Sequence, residues 1–151
     1  MQPMLASQSD KTSGDTVVLE TLPKCFELIV VEDDRVEAEA IARELSNRNI
    51  DVFARYAVDG RVALAQLLRL ARQGRCDQAI FIVDLSMPLI DGLELLKQIR
   101  TTPEFCSASV YIYTGSDDPK LKAQAEELGV DGYFKKNELR ELLATVFEKL
   151  S

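Results

Sequence analysis

Residues 80–88 read IFIVDLSMP, and this stretch decides the fold. Four apolar residues, three of them β-branched, are typical of a strand that is buried on both faces of a sheet. One carboxylate, Asp84, follows the apolar run directly, and turn residues come next. The pattern predicts a strand whose end presents a single acid at the edge of a sheet.

Similar strands are predicted on both sides of this one. Residues 27–31 read ELIVV and precede Glu32-Asp33-Asp34, and residues 110–113 read VYIY and precede Thr114-Gly115-Ser116. Shorter strands are predicted at residues 51–54 and 131–135. Apolar residues spaced three and four apart predict helices at residues 35–47, 60–73, 93–100, 117–128 and 138–150. Five alternations of strand and helix predict an α/β domain with a doubly wound parallel sheet.

Two helices carry a predicted apolar face. In the helix at residues 60–73 this face holds Val62, Ala65, Leu68 and Ala71. In the last helix the inward residues are predicted to be Leu139, Leu142, Leu143, Val146 and Phe147.

Composition limits the class of protein. The chain has 151 residues, of which 46% are hydrophobic, and this suits one compact domain. Residues 1–23 are polar without periodicity, so we expect a flexible tail before a domain at residues 24–151. The net charge of −7 argues against a nucleic-acid partner, and no apolar run is long enough for membrane insertion. Three widely spaced cysteines favour reduced thiols and a cytoplasmic location.

The chain contains no histidine. Zinc sites built on imidazole and Ser-His or Cys-His catalysis are therefore excluded for this sequence. Any phosphohistidine step must use a histidine of another protein.

Several reactive side chains follow predicted strands. In parallel sheets, ligands bind at the carboxyl ends of the strands. Glu32, Asp33, Asp84, Thr114 and Lys136 all fall at such ends. Acids from two strands and a lysine from a third describe a site for a divalent cation and a phosphoryl group.

These residues, in this order, resemble the receiver domain of two-component response regulators over residues 26–150. The resemblance is carried by the acid pair after the first strand, by residues 84–92 (DLSMPLIDG), by Thr114-Gly115, and by Tyr133 followed by Lys136. Residues 87–97 are especially similar to the single-domain chemotaxis type. The resemblance implies a flavodoxin-like (βα)5 receiver fold whose five parallel strands have the order 2-1-3-4-5.

The resemblance makes Asp84 the phosphoacceptor. It also implies a Mg²⁺ site, with Mn²⁺ as a substitute, formed by Asp33, Asp84 and the backbone carbonyl of Ser86. Glu32 would act through metal-bound water. As an alternative, Glu32, Asp33 and Asp34 would only form an acidic helix start.

The phosphoryl group would be bound by Lys136, Thr114 and Gly115. Strand alternation and the spacing from Tyr133 both favour Lys136 over Lys135. Asn137 departs from the family pattern, because a proline usually follows this lysine and the peptide bond before that proline is commonly cis.

Two further roles follow from the resemblance alone. Thr114 and Tyr133 would move together as the switch. Ser86 and Ser116 would tune the lifetime of the phosphoryl group. As ordinary structural residues, Thr114 would end a strand and Tyr133 would be half-buried.

The expected function is that of a signalling switch with self-catalysed phosphorylation and dephosphorylation, and not of a separate enzyme. A sensor histidine kinase or a phosphotransfer protein would phosphorylate Asp84, and the surface of the fourth helix, fifth strand and fifth helix would contact a downstream protein. Only Ser151 follows the last helix, so we expect a single-domain regulator. The apolar residues of that helix are compatible with a homodimer or with the core.

Three alternatives are open at this point. A degenerate receiver that acts only as a binding module is suggested by Asn137. A phosphohydrolase with an aspartyl-phosphate intermediate would commonly need an acid where Ser86 stands. A flavodoxin-like nucleotide binder would need a Gly-rich phosphate loop, and acids occupy that position after the first strand.

Overall fold

The computed structural model describes residues 26–48, 53–85, 91–105 and 107–150. Strands and helices alternate along these residues. The strands are β1 (Glu27–Val31), β2 (Phe53–Ala57), β3 (Ala79–Val83), β4 (Ser109–Thr114) and β5 (Gly132–Lys135). The helices are α1 (Arg35–Asn47), α2 (Gly60–Arg72), α3 (Gly92–Thr101), α4 (Pro119–Glu127) and α5 (Leu139–Leu150). A 3₁₀ turn, Cys76–Gln78, leads into β3.

The five strands form one parallel sheet with the order β2-β1-β3-β4-β5. The predicted doubly wound fold and strand order are confirmed. Every residue of β1, β3 and β4 is buried. Helices on both faces of the sheet explain why these strands are almost continuously apolar instead of alternating with polar residues.

The sheet separates two apolar cores. Alternate residues of β1 and β3 point to opposite faces, because a strand has a side-chain period of two. One core contains Ile29, Val31, Phe81 and Val83 together with buried residues of α2, α3 and α4. The other contains Leu28, Val30, Ile80 and Ile82 together with buried residues of α1 and α5.

Aspartates fix the beginnings of four helices. Asp34, Asp59, Asp91 and Asp118 are the N-caps of α1, α2, α3 and α4, and each side chain accepts hydrogen bonds from backbone N–H groups of the first turn. Such caps satisfy N–H groups that have no partner within the helix. Each cap lies on the carboxyl side of a strand, so the helices begin at the edge of the sheet where the site was predicted.

Three sequence predictions need correction. The second strand, predicted at residues 51–54, is Phe53–Ala57, while residues 51–52 lie outside the described part of the chain. In α2, Val62 is 38% and Leu68 41% exposed, and the buried residues are instead Gly60, Ala63, Leu67 and Leu70. The α2 sequence is apolar around much of its circumference, so spacing alone selected a neighbouring stripe. Phe147 of α5 is 48% exposed and was wrongly placed inward.

None of the helices in the described residues has the length and apolar character needed to cross a bilayer.

Candidate metal and phosphoryl site

A cleft of about 490 Å³ opens at the carboxyl edge of the sheet. Its lining contains seven of the residues singled out in the sequence, namely Glu32, Asp33, Asp84, Thr114, Gly115, Ser116 and Lys136. Asp34 and Glu37 also line it. Residues from the ends of β1, β3, β4 and β5 therefore meet in one place, as expected for ligand sites of open α/β sheets.

Three carboxylates form the acidic part of the cleft. Glu32, Asp33 and Asp84 each offer an oxygen, and these oxygens lie within 4.8 Å of one another. The backbone sets this arrangement. The N–H of Glu32 donates to the carbonyl of Ala57 at 2.9 Å, and the N–H of Asp84 donates to the carbonyl of Val31 at 3.1 Å. Carboxylate oxygens are the ligands that Mg²⁺ and Mn²⁺ prefer, so the donor set fits a hard divalent cation.

Ser86 lies outside the described residues. Its backbone carbonyl as a metal ligand, and its side chain as a determinant of phosphoryl lifetime, stay predictions.

Lys136 supplies the cation of the cleft. Its Nζ donates to Glu32 Oε1 at 2.5 Å and lies 3.5 Å from Glu37 Oε2. Its backbone N–H donates to the carbonyl of Thr114 at 2.9 Å, which holds the end of β5 against β4. Lys135 points elsewhere, since its Nζ pairs with the exposed Asp117 at 2.5 Å. The peptide bond between Lys136 and Asn137 is trans, like every peptide bond in the described residues.

The pair formed by Glu32 and Lys136 has altered acidity. Burial raises the pKa of Glu32 to about 7; the hydrogen bond from Lys136 opposes this effect, and the charge of Asp84 adds to it. For Lys136, burial lowers the pKa, but the hydrogen bond to Glu32 and the nearby acids outweigh burial and leave the pKa above its ordinary value. Lys136 is therefore a protonated ammonium at neutral pH.

The neutral wall of the cleft comes from the end of β4. Thr114 is buried, and its hydroxyl oxygen accepts a hydrogen bond from the backbone N–H of Ser116 at 3.2 Å. A methyl group added at Gly115 would lie 3.6 Å from Lys136 Cγ, which is an ordinary contact. Only a side chain larger than alanine at this position would therefore press on the lysine stem.

Tyr133 does not line the cleft. It packs against the core formed with α2, α3 and α4, and its half-buried ring has Lys122 Nζ 5.9 Å from its centroid. Its hydroxyl oxygen is buried without a hydrogen-bond partner among the described residues. Burial raises the pKa of this phenol. A buried polar atom without a partner is costly, so a rearrangement that hydrates the hydroxyl would be favourable.

Two residues that hold Lys136 were not predicted from the sequence. Glu37 lies in the first turn of α1, and its contact with Lys136 can be predicted only if the orientation of that helix is known. Tyr113 precedes Thr114 in β4; its hydroxyl donates to the carbonyl of Lys136 at 2.9 Å, and its ring centroid lies 4.9 Å from Lys136 Nζ. Strand alternation would have placed Tyr113 on the same face as Tyr111, but it contains no signal for the lysine contact.

The close packing around Gly92 explains why a glycine follows Asp91 at the start of α3. A methyl group at this position would lie 2.3 Å from the carbonyl oxygen of Asp84 and 2.7 Å from Leu85 Cα. The N–H of Gly92 also donates to the carbonyl of Leu85 at 3.2 Å. The beginning of α3 therefore rests directly on the backbone of the candidate phosphoacceptor, an approach that only glycine permits.

An open parallel sheet of order 2-1-3-4-5 defines a doubly wound α/β domain. The acids that follow β1 and β3 and the lysine that follows β5 line one cleft at the edge of this sheet. Within this class, comparison with known families identifies one family. The model of the response regulator receiver domain matches residues 28–147, and the chain belongs to that family. The resemblance found in the sequence is confirmed. Receiver domains are signalling switches that bind Mg²⁺ in an acidic pocket and interact with histidine kinases or phosphotransfer proteins.

Curated relatives include larger proteins. The chain is 34% identical over 118 residues to the response regulator MprA of Mycolicibacterium vanbaalenii, covering 78% of this chain and 47% of that protein. It is 33% identical over 119 residues to the osmosensing histidine protein kinase SLN1 of Saccharomyces cerevisiae, covering 79% of this chain and 10% of the kinase. The chain thus spans about half the length of the first protein and a tenth of the second.

Solved structures show the same fold. A response regulator receiver protein from Pseudomonas putida is 26% identical with a TM-score of 0.71, and 84% of this chain covers 99% of that one. The Mn²⁺-bound form of the response regulator Rcp1 is 24% identical with a TM-score of 0.64, and 80% of this chain covers 91% of that one.

Proposed function

We propose that this protein is a response regulator in which Asp84 is phosphorylated in a Mg²⁺-dependent reaction. The observation that carries the proposal is the meeting of the Glu32, Asp33 and Asp84 carboxylates with the Lys136 ammonium in one cleft. Clustered acids are unfavourable without a cation, and a lysine beside them is suited to an incoming phosphoryl oxygen.

The proposed donor is a phosphohistidine of a sensor histidine kinase or a phosphotransfer protein. A carboxylate oxygen of Asp84 forms a bond to phosphorus while the bond between phosphorus and the imidazole nitrogen breaks. The bonding electron pair returns to that nitrogen, and Asp84 becomes an acyl phosphate. Asp33, Asp84 and the Ser86 carbonyl would hold Mg²⁺ directly and Glu32 through water, and the ion would neutralise charge on the transferring oxygens.

Other residues of the cleft would bind the product. The Lys136 ammonium would pair with one phosphoryl oxygen, and the Thr114 hydroxyl and the backbone at Gly115 would donate to the others. Ser116, next to them, would control the access of hydrolytic water. This set of roles is supported by the shared cleft of all four residues.

The switch would couple Thr114 to Tyr133. Turning the Thr114 hydroxyl toward the phosphoryl group would break its present bond from the Ser116 N–H. Tyr133 would then change its burial, which is supported by the unpartnered state of its hydroxyl in the described structure. The surface of α4, β5 and α5 would carry the change to a downstream protein, and the exposed Phe147 of α5 makes this surface suitable also for a homodimer.

The single-domain organisation, the tail at residues 1–23 and the cytoplasmic location stay predictions. Residues 1–25 lie outside the described part of the chain.

The proposal is tested by intact-protein mass after incubation with acetyl phosphate, with and without Mg²⁺. We expect one added phosphoryl group that depends on Mg²⁺ and is lost in Asp84→Asn. Asp34→Asn is the matched control, since it removes another carboxylate of the cleft but keeps a good N-cap for α1. Labelling retained in Asp84→Asn would refute the assignment of the phosphoacceptor.

Two alternatives predict other outcomes. A degenerate receiver would bind neither Mg²⁺ nor the phosphoryl analogue beryllofluoride, despite its intact acids. A phosphohydrolase would release inorganic phosphate from a phosphomonoester over many turnovers.

A further inference from the structure

The Lys136 ammonium has two glutamate partners. Glu32, directly after β1, lies 2.5 Å away, and Glu37, in the first turn of α1, lies 3.5 Å away. Glu32 lies in the connection between β1 and α1, and Glu37 lies in α1 itself. In the proposed reaction, however, this ammonium must contact a phosphoryl group on Asp84, which follows β3.

A bound cation would affect the two partners differently. Glu32 belongs to the group of three acids whose oxygens lie within 4.8 Å of one another. Among the described residues, Glu37 is not a member of that group. A bound metal ion would therefore interact with Glu32 and not with Glu37. Glu37 would then be the acid that still competes with the phosphoryl group for the Lys136 ammonium.

Glu37 is held on a rigid element. The Asp34 side chain caps α1 by accepting from the Val36 N–H at 2.9 Å, so the first turn is fixed next to the cleft. The Glu37 side chain is 37% exposed, while that of Lys136 is 21% exposed. Glu37, at the rim of the cleft, therefore contacts the more buried Lys136 ammonium from the side of α1.

We propose that Glu37 is a positioning residue that retains the Lys136 ammonium beside α1 and thereby restrains phosphorylation of Asp84. The inference rests on the proposed function. Phosphoryl transfer requires the ammonium to leave Glu37, so the ion pair stabilises the ground state and is lost in the transition state. Removal of the Glu37 carboxylate should therefore accelerate phosphorylation.

The expected effect is moderate. A partly exposed ion pair at this distance corresponds to a change of about three- to fivefold in rate. The change should appear in the maximal rate with acetyl phosphate, and the concentration for half-maximal rate should stay the same. If Glu37 acted only by repelling the anionic acetyl phosphate, its removal would instead change the acetyl phosphate concentration that gives the half-maximal rate.

The test compares four proteins at saturating Mg²⁺ by time-resolved intact mass, namely the unchanged protein, Glu37→Gln, Glu37→Asp and Glu39→Gln. Glu37→Asp keeps the charge but withdraws it by one carbon–carbon bond, so it should be faster, like Glu37→Gln. Glu39→Gln is the matched control, because it removes one charge from the same helix, where Glu39 pairs with the exposed Arg35. It should react at the unchanged rate.

The outcomes separate this inference from the proposed function. Unchanged rates in both Glu37 variants, a faster rate in Glu37→Gln alone, or an effect confined to the half-maximal concentration would each overturn it. If the unchanged protein neither takes up a phosphoryl group nor binds beryllofluoride by fluorine NMR, the proposed function fails and this inference fails with it. Urea midpoints measured by circular dichroism verify that all four proteins are folded.

Discussion

Glu27, the first residue of β1, gives the sharpest stability prediction. Its side chain is only 7% exposed and has three arginine neighbours. Its Oε1 accepts from Arg55 Nε and from Arg69 NH2, both at 2.8 Å, and its Oε2 lies 3.6 Å from an Arg75 nitrogen. This cluster lies at the opposite end of the sheet from the cleft.

Replacing Glu27 by glutamine keeps the shape but removes the charge. A hydrogen bond to a charged group contributes about 1.5–3 kcal/mol. The arginines are about a third exposed, and solvent screening reduces this value. Since glutamine retains one acceptor oxygen, we expect a loss of about 1–3 kcal/mol in the free energy of unfolding. In urea the midpoint should fall by about 1 M.

The loss should depend on pH in a defined direction. Burial raises the pKa of Glu27, but hydrogen bonds from Arg69 and Arg55 and their charges outweigh it and leave the pKa below the ordinary value of 4.5. A lowered folded-state pKa means that the stabilisation is present in full above the unfolded-state pKa. It is lost as the pH falls through the folded-state pKa, because the carboxyl group is then protonated in both states.

Urea unfolding followed by circular dichroism, near neutral pH and near pH 3, measures both effects. Glu44→Gln is the control, since its pair with Arg48 has a separation of 4.0 Å and should contribute less than about 0.5 kcal/mol. Equal midpoints for Glu27→Gln and the unchanged protein at neutral pH would refute the argument. So would a difference that does not shrink in acid.

Three further predictions concern the site and its support. Gly92→Ala should destabilise the protein by about 2 kcal/mol in urea unfolding, because the new methyl group would lie 2.3 Å from a backbone oxygen. Gly115→Ala is the control and should change the free energy of unfolding by less than about 0.5 kcal/mol, because its methyl group would make only an ordinary contact. Arg100→Ala should lower the free energy of unfolding by about 2 kcal/mol in the same assay, because this guanidinium donates to two backbone carbonyls and a carboxylate. Arg35→Ala is the control and should leave the free energy of unfolding unchanged, because the Arg35 side chain is 91% exposed. Burial raises the pKa of Glu32 to about 7, so this acid carries a proton at lower pH that Mg²⁺ must displace. Calorimetry should then show Mg²⁺ affinity rising about tenfold from about pH 6 to about pH 8, and a pH-independent affinity would contradict this reasoning.

Local patterns were sufficient to predict most of the fold. The bounds of β1 and α1 agree with those predicted from the sequence, because each is a clear apolar period between turn or capping residues. The error in β2 has a tertiary cause. Arg55 is charged and looks unsuited to a strand, but its guanidinium is paired with Glu27, which lies 28 positions away in the chain. A partner at that distance leaves no local signal.

The location of the cleft was also predictable, whereas its internal contacts were not. Residues at the carboxyl ends of parallel strands must converge, so Asp84, Glu32 and Lys136 could be placed together from the sequence. The contact of Glu37 with Lys136 depends on the rotation of α1 about its axis. The tight approach of Gly92 to Asp84 depends on the path of the backbone between β3 and α3. Neither quantity is encoded in a short sequence window.

The ion pair between Lys136 and Glu32 joins residues 104 positions apart and spans strands that are not neighbours in the sheet. A growing polypeptide possesses all three acids once Asp84 has been made, but it acquires the lysine only with β5. Complete assembly of the cleft therefore coincides with closure of the whole sheet. Cation binding should also stabilise the folded domain as a whole, by about 2.7 kcal/mol in the free energy of unfolding at a hundredfold excess over the dissociation constant.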